Sequence, residues 1–212
     1  MQSYTKLESK HFPDVILRLT YGHFVTPGSH VNYYLDTIPM KSRMSEAKAV
    51  AAALAEVHLA STAVDTIVCM DDMELVGAYL AEELTRAGVI SKNMHNTMYV
   101  LKPDHAVNGQ IIFRENIVPW IRGKNVLLLC AIATTGSSLG RAVDALHYYG
   151  AELTGISAIF STISSVGGME VHALFTRADV PGYVSFDAKD CPMCKNKEKI
   201  DALCNSLGYT TL

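Results

Sequence analysis

The chain has 212 residues, of which 49% are hydrophobic and 18% are charged, and its formal net charge is −3. This composition is typical of a globular protein with a buried core, and it excludes a disordered chain. The slightly acidic balance offers no positive surface for nucleic acid or for an anionic membrane, so neither is expected as a partner.

Processing signals and cysteine usage indicate the compartment. The first ten residues lack the apolar stretch of a signal peptide, and no apolar run reaches the roughly 18 residues that a transmembrane helix needs. The five cysteines are an odd number and are typical of reduced thiols rather than of a disulfide framework. We therefore expect a cytoplasmic protein. Because no linker or repeat divides the sequence, we expect a single domain over 1–212.

The first third of the chain alternates strand-like and helix-like patterns. Strands are predicted at 15–19 and 31–36, on either side of a turn. Apolar residues with the spacing of one helix face then predict a helix over 45–60. A continuous apolar run bounded by charge predicts a buried strand at 66–70.

A second helix is predicted over 74–87, with Gly88 placed to end it. A strand follows at 97–101. The stretch 102–122 predicts a long connection outside the main strand–helix alternation, with a hairpin around 110–113. These patterns continue the alternation of strand and helix that is typical of α/β proteins.

The strongest unit begins with a fully apolar strand at 125–130. A loop of small residues follows, then a helix that ends near Gly150, then a strand at 153–160. Strand, crossover helix and parallel strand form a right-handed βαβ unit. The sequence therefore predicts an α/β fold with a mostly parallel central sheet and helices on both faces. Segments 10–40 and 181–212 lie outside this pattern, and either could cap one end of the sheet.

The loop after strand 125–130 suits an anion. In an open parallel sheet, ligands bind at the carboxyl ends of the strands, and the free N–H groups of a helix N-terminus suit a phosphate monoester. The alternative is an ordinary strand-to-helix turn with a serine as the helix N-cap. The candidate phosphate-binding residues are Thr134, Thr135, Gly136, Ser137 and Ser138.

Three stretches resemble one family in the same order along the chain. VLLLCAIATTGSSLGRAVDALHYYGAELTGISAIF resembles the phosphoribosyl-diphosphate (PRPP) loop region of the type I phosphoribosyltransferases. GHFVTPGSHVNYYLD resembles the N-terminal hood of orotate phosphoribosyltransferase, and YVSFDAKDCPMC resembles the tail of its bacterial and archaeal members. The resemblance spans about residues 20–195, and it implies a phosphoribosyltransferase fold with a small hood from the N-terminal segment.

The resemblance also implies a reaction. Such enzymes transfer a phosphoribosyl group from PRPP to a base, with Mg²⁺ held by the pyrophosphate and the ribose hydroxyls. The TTG loop holds the 5′-phosphate, and two acids before it bind the ribose hydroxyls. A second loop binds pyrophosphate, and a mobile basic loop closes over the site from the partner in a homodimer. A homodimer and a nucleotide or PRPP ligand are therefore expected here.

The acidic pair of the family is missing. Its positions are occupied by Cys130 and Ala131, and neither side chain can bind a ribose hydroxyl as a carboxylate would. PRPP breakdown passes through a cationic state, so negative charge fixed nearby contributes much of the catalysis. The sequence predicts impaired catalysis.

The expected pyrophosphate loop is also altered. Asp71, Asp72 and Glu74 follow the strand at 66–70, with no glycine before Gly77. These carboxylates would repel pyrophosphate unless Mg²⁺ intervened, so a relocated Mg²⁺ site is one interpretation. The other is an acidic helix N-terminus that interacts with the macrodipole.

The mobile basic loop should lie within 102–122. That segment keeps Lys102, Arg114 and Arg122, but it lacks the dense basic cluster of the family. Asn108-Gly109 is a turn signal without necessary catalytic content.

The C-terminal cysteines are weak zinc candidates. Cys191 and Cys194 have the spacing of a zinc half-site, and Cys204 follows ten residues later, but no histidine lies nearby in sequence. Reduced, partly buried thiols are the alternative. His23 and His30 lie in the hood-like segment, where they could contact a base or simply pack.

Three hypotheses follow. The first is a degenerate orotate phosphoribosyltransferase-like protein that binds a nucleotide 5′-phosphate and acts in binding or regulation. The second is an active phosphoribosyltransferase, Mg²⁺-dependent, in which Asp71, Asp72 or Glu74 replaces the missing pair. The third is a dimeric scaffold that binds no small molecule. Fold resemblance alone does not decide between them.

Overall fold

The computed structural model describes residues 4–86, 92–93, 97–107 and 109–212. The strands in these residues are β1 (Thr5–Glu8), β2 (Ile16–Val25), β3 (His30–Asp36), β4 (Thr66–Cys69), β5 (Tyr99–Leu101), β6 (Asp104–His105), β7 (Ile111–Ile112), β8 (Asn125–Ala133), β9 (Glu152–Ser161), β10 (Ser165–Val166), β11 (Met169–Thr176), β12 (Ser185–Phe186), β13 (Ala202–Asn205) and β14 (Gly208–Thr211). The α-helices are α1 (Ile38–Ser42), α2 (Met44–His58), α3 (Glu74–Arg86), α4 (Ser137–Tyr148) and α5 (Pro192–Lys195).

The central sheet has the strand order β10-β11-β9-β8-β4-β5. Its strands are parallel from β11 to β5, and only the two-residue β10 runs antiparallel, against β11. This is the mostly parallel sheet that the βαβ pattern predicts, and it confirms the α/β fold class.

Helices cover both faces of this sheet because successive side chains of a strand point to opposite sides. On β8, Leu127 and Leu129 belong to a core shared with α2 and α3. Val126 and Leu128 belong to a second core, which α4 covers. Burial of each leucine contributes about 1.5–3 kcal/mol, so both faces contribute strongly to stability.

The hood is a second six-stranded sheet, in which β12-β3-β2-β13-β14 are neighbours and β1 pairs with β2. The hood predicted from the N-terminal segment is therefore present, but strands from the C-terminal segment complete it. Strand β13 runs parallel to β2, where Ala202 and Leu203 pair with Phe24 and Val25. Residues nearly 180 positions apart in sequence thus share one sheet.

Several elements differ from the sequence predictions. Strand β8 continues past Cys130 to Ala133, so the small-residue loop begins later than predicted. The parallel edge strand β11 and the hairpin β13–β14 were not predicted, because short runs with mixed polarity give a weak strand signal. The predicted stop at Gly88 lies outside the described residues.

Within the described ranges, no helix is long and apolar enough to cross a membrane.

Candidate functional site

The 134–138 loop joins the carboxyl end of β8 to the first turn of α4. Gly136 immediately precedes the helix and has φ +77°, a conformation that favours glycine. A Cβ at this position would lie 3.0 Å from the Ile163 side chain, which restricts the site further. The Thr162 hydroxyl donates to the Thr134 carbonyl at 2.7 Å and fixes the start of the loop.

Arg141 adds a cation to this loop. Its guanidinium donates to the Ser137 hydroxyl at 3.0 Å and to the Ser138 hydroxyl at 3.2 Å. The sequence analysis missed this residue, although its spacing of four and three residues from the two serines places all three on one helix face. A guanidinium at a helix N-terminus with hydroxyl donors increases the attraction for an anion.

A cleft of about 770 Å³ separates the 134–138 loop from the hood. The turn at 26–29 forms part of its opposite wall, and the Thr26 hydroxyl oxygen accepts a hydrogen bond from the Ser29 N–H at 3.0 Å. Hood aromatics Tyr33, Tyr34 and Tyr183 also line it. The volume and the mixture of aromatic and polar groups are typical of a small-molecule site.

Cys130 and Ala131 lie in the interior of β8, at the positions where the resemblance places the acidic pair. Both are buried, with exposed fractions of 3% each. Burial raises the pKa of the Cys130 thiol far above its usual range, so the side chain is neutral. No charge is therefore available from either residue.

Asp71 brings a carboxylate to this place from the loop that follows the neighbouring strand β4. Its Oδ2 atom accepts a hydrogen bond from the Ala131 N–H at 3.2 Å, and the side chain lines the cleft. Burial raises the pKa of the Asp71 carboxyl, against the opposing effect of the Ala131 hydrogen bond. The Asp71 carboxyl group thus lies beside the backbone of Ala131, one of the two positions at which the family's acidic residue is missing.

The backbone around Asp71 is unusual. Asp71 and Asp72 have φ values of +54° and +60°, in the left-handed region that non-glycine residues rarely adopt. Such conformations cost about 1–3 kcal/mol each and cluster at functional sites. Helix α3 begins at Glu74, which is the acidic residue of its first turn, and Asp71 and Asp72 lie just before that turn.

Lys41 holds the Asp71 backbone in place. Its ammonium donates to the Asp71 carbonyl at 2.5 Å and to the Ser206 carbonyl at 2.6 Å, and only 5% of the residue is exposed. Burial lowers the pKa of Lys41, against attraction to Asp72 and Asp71. The residue joins α1, the 71–74 loop and the β13–β14 turn, a role that its sequence context did not indicate.

The 71–74 loop does not form a ready cage for Mg²⁺. Lys102 pairs with Asp72 and lies 3.2 Å from the Glu74 carboxylate. The hydrogen bond from Lys102 lowers the pKa of Asp72. Asp71 contacts the backbone of β8 instead, so these three acids do not fit a protein-held Mg²⁺. Mg²⁺ is commonly bound through substrate phosphates rather than by an all-protein cage.

The sequence matches no family model and no curated protein. Solved structures are similar at low identity. The Mycobacterium tuberculosis orotate phosphoribosyltransferase, solved with Fe(III) dicitrate, is 16% identical over 78% of this chain and 93% of its own, with a TM-score of 0.52. The Leishmania donovani UMP synthase is 15% identical over 85% of this chain and 36% of its own, with a TM-score of 0.56.

The adenine phosphoribosyltransferase of Thermoanaerobacter pseudethanolicus is 13% identical over 68% of this chain and 88% of its own, with a TM-score of 0.51. The fold is that of a type I phosphoribosyltransferase. At these identities the similarity establishes the fold alone, and the residues of the cleft must carry any argument about activity.

The segment expected to hold the phosphoribosyltransferase basic loop contains the predicted hairpin, formed by β6 and β7. Lys102 pairs with the 71–74 loop, as described above, and Arg114 pairs with Asp104. Arg122 lies beside Gly150, before the amino end of β9 and away from the cleft. None of these three cations contacts the 134–138 loop among the described interactions; Asn108 lies outside the described residues.

The structure groups the predicted zinc candidates differently from the sequence analysis. Cys191 and Cys194 meet His23 and His30, and the four ligand atoms all lie within 4.8 Å of one another. Cys204 does not belong to this group; it lies on hood strand β13 and packs in the hydrophobic core. The histidines were missed as partners because they precede the cysteines by more than 160 residues, and no local spacing signals such a group.

Proposed function

We propose that this protein binds a 5′-phosphorylated ribose compound, a nucleoside monophosphate or PRPP, and serves in binding or regulation. One observation carries the proposal: the 134–138 loop, with Gly136 in a left-handed conformation and Arg141 on its two serines, forms one wall of the cleft under the hood. The phosphoribosyltransferase fold supports it, because the loop occupies the carboxyl end of a central parallel strand.

The phosphate would lie against the first turn of α4. Backbone N–H groups there point out of the helix, and the macrodipole favours negative charge. Hydroxyls of Thr135, Ser137 and Ser138 are close enough in sequence to contribute donors. Charge-assisted hydrogen bonds from Arg141 would strengthen the contact.

The base would lie toward the hood. Tyr33 and Tyr34 line that side of the cleft with Val31 and Leu35, which gives apolar and aromatic contact area. The Tyr34 ring also packs against Phe24 and Tyr209, so it is held in a fixed position. A rigid aromatic wall offers contact at low entropic cost.

Catalysis is expected to be weak because no carboxylate occupies position 130 or 131. In other enzymes, loss of one preorganised electrostatic group costs on the order of 10²–10³-fold in rate. Loss of two should exceed that. Release of the bound ligand would therefore be faster than its chemical conversion, and the protein would act mainly by binding.

The proposal is tested by calorimetric titration of the full chain with nucleoside monophosphates and with the matching nucleosides. We expect saturable binding of a monophosphate, and weaker or no binding of its nucleoside. Thr135→Glu should abolish binding, because its carboxylate would fill the position of the phosphate and repel the negatively charged ligand. Thr97→Glu, at an exposed position before the amino end of β5, is the matched control. Equal binding by Thr135→Glu and wild type would contradict the proposal.

A second candidate is phosphoribosyl transfer from PRPP with an altered acid. The hydrogen bond from the Ala131 N–H to Asp71 favours it, because it brings a carboxylate beside the missing pair. The test is turnover of orotate and other bases with PRPP and Mg²⁺ at high protein concentration. Asp71→Asn should abolish any turnover, whereas Asp144→Asn, on the exposed face of α4, should not. Absence of turnover with every base tested would reject this second candidate, and the binding role would be the one that remains.

A further inference from the structure

Two histidines of the hood and two cysteines more than 160 residues further along the chain lie close together. His23 lies on β2 beside a register shift of the β2–β3 pairing, and His30 is the first residue of β3. Cys191 precedes α5, and Cys194 lies within it. His23, His30 and Cys191 are buried, with exposed fractions of 3%, 8% and 0%, and Cys194 is half-buried.

Four of the six distances between these atoms are within about 0.3 Å of those in a tetrahedral coordination shell, and all six are below 4.8 Å. His23 Nε2 lies 3.1 Å from His30 Nδ1 and 3.6 Å from each cysteine Sγ, and Cys194 Sγ lies 3.3 Å from His30 Nδ1. With Zn–N of about 2.0–2.1 Å and Zn–S of about 2.3 Å, tetrahedral geometry requires about 3.3 Å between nitrogens and about 3.6 Å between nitrogen and sulfur. The four atoms therefore leave room for one ion at their centre.

The orientation of His23 is fixed from outside the group. Its Nδ1 lies 3.2 Å from the Glu198 carbonyl, a hydrogen-bond acceptor, so Nδ1 carries the proton and Nε2 keeps its lone pair for the group. A backbone carbonyl behind a ligating histidine is the usual outer partner in metal sites. The His23 backbone N–H also donates to the Asp201 carboxylate at 2.8 Å, which holds the strand at this point.

A hydrogen-bond network explains the cluster less well. A neutral histidine has one ring N–H, and the His23 proton points to Glu198, away from the group. The remaining donors are one His30 N–H and two weakly donating thiols. With its proton on Nδ1, His30 is a donor and not an acceptor, so one ring-to-ring hydrogen bond and weak thiol contacts would have to hold the group together. A single cation would instead use one lone pair of each of the four atoms.

We propose that His23, His30, Cys191 and Cys194 bind one structural Zn²⁺ ion. Two nitrogen and two sulfur ligands in a tetrahedron suit zinc, and four protein ligands leave no open position for catalysis. The ion joins the β2–β3 hairpin to the 191–194 segment, so it closes the hood across the two ends of the chain. Because His30 directly follows the 26–29 turn, the ion also fixes one wall of the cleft. The inference does not depend on what the cleft binds.

The first measurement is the metal content of the full-length chain, expressed with zinc in the medium and purified without chelator. We expect about one zinc ion per chain. Exchange for Co²⁺ should give intense visible d–d bands and a thiolate-to-cobalt charge-transfer band, the signature of tetrahedral coordination with sulfur. Wild-type protein without bound zinc, and without these bands on Co²⁺ addition under reducing conditions, would overturn the proposal.

Variants locate the site. Cys194→Ser and His30→Ala should each lose most of the bound zinc and the charge-transfer intensity should fall in Cys194→Ser. Cys204→Ser and His147→Ala, which change residues outside the group, should keep the metal. Loss of zinc in Cys204→Ser with retention in Cys194→Ser would place the ion elsewhere and reject the assignment.

A chelator experiment on wild-type protein covers the case in which a variant fails to fold. Removal of zinc by a strong chelator should lower the melting temperature, and zinc added back should restore it, because binding free energy of a structural ion is folding free energy. An unchanged melting temperature after complete removal of zinc would show that the ion does not stabilise the hood, and would overturn the structural role.

Discussion

The central sheet and the hood hold together by different means. In the central sheet, neighbours in space are mostly neighbours in sequence, and the strands are buried between two apolar layers. In the hood, strands from 5–36 and 185–211 interleave, and polar contacts such as those of Lys41 and the His/Cys group tie the two ends together. Apolar burial stabilises both regions, since Leu17 and Phe24 of the hood share a core with Leu127 of the central sheet. The difference teaches that the central sheet is built largely from contacts between segments close in sequence, whereas the hood and its cleft also need polar contacts between distant segments.

The largest expected effect tests the apolar side of this comparison. Leu128→Ala removes a fully buried side chain between β8 and α4, and it should destabilise the protein by about 2–5 kcal/mol. Leu203→Ala, in hood strand β13 with 47% exposure, should cost far less. Urea unfolding of both variants provides the measurement. Leu17→Ala, in hood strand β2 with 0% exposure, separates burial from region and should cost about as much as Leu128→Ala. Equal losses for Leu128→Ala and Leu203→Ala would contradict the dependence of stability on apolar burial.

The next effect concerns a buried polar contact within the central layers. His58 Nε2 lies 2.7 Å from the Ser157 hydroxyl, and burial, with a smaller contribution from His172, lowers the pKa of His58 from 6.5 to about 4. The native state thus holds fewer protons than the unfolded chain, so stability is lost as pH falls from 6.5 through 4, by about 3 kcal/mol in total.

Unfolding free energies measured from pH 7 to pH 4 check this expectation. His58→Gln should flatten the profile by the His58 contribution, while His147→Gln, on the exposed face of α4, should leave it unchanged. A wild-type profile no steeper than that of His58→Gln would contradict the assignment.

The smallest of the three expected effects tests a polar contact between the hood and the 71–74 loop. Lys41→Met leaves the Asp71 and Ser206 carbonyls without their donor, which should cost about 1–3 kcal/mol. Ligand affinity should fall as well, because the hood and the 71–74 loop would lose their shared contact. Lys124→Met, at an exposed position before β8, is the matched control for urea unfolding and for titration. A variant as stable as wild type would show that the hood does not need this contact.

The predictability of the fold follows the same division. Periodicity and apolar runs gave the βαβ unit at 125–160, because each element there is specified by its own residues. Strand β13 could not be found, since four residues of alternating burial carry little pattern and their partner is β2, far away in sequence.

The candidate site was predictable only where it is local. The 134–138 loop was identified from contiguous residues at a strand end. Asp71, Lys41 and the two histidines acquire their roles through contacts between distant segments, namely Asp71 with Ala131, Lys41 with Ser206 and His23 with Cys191. Such contacts follow from topology, so spacing in one sequence cannot reveal them.

The insertion of β13 between β2 and β14 has a consequence for synthesis on the ribosome. The last strand of the central sheet, β11, ends at Thr176, whereas β13 ends at Asn205. At about 5–20 residues per second, roughly 1.5–6 seconds separate the two events. During that interval the carboxyl-terminal part of β2 presents an unpaired edge, the kind of surface on which nascent chains associate. A chaperone that covers this edge during the interval would therefore limit association, and the cleft forms only after the central sheet has been synthesised.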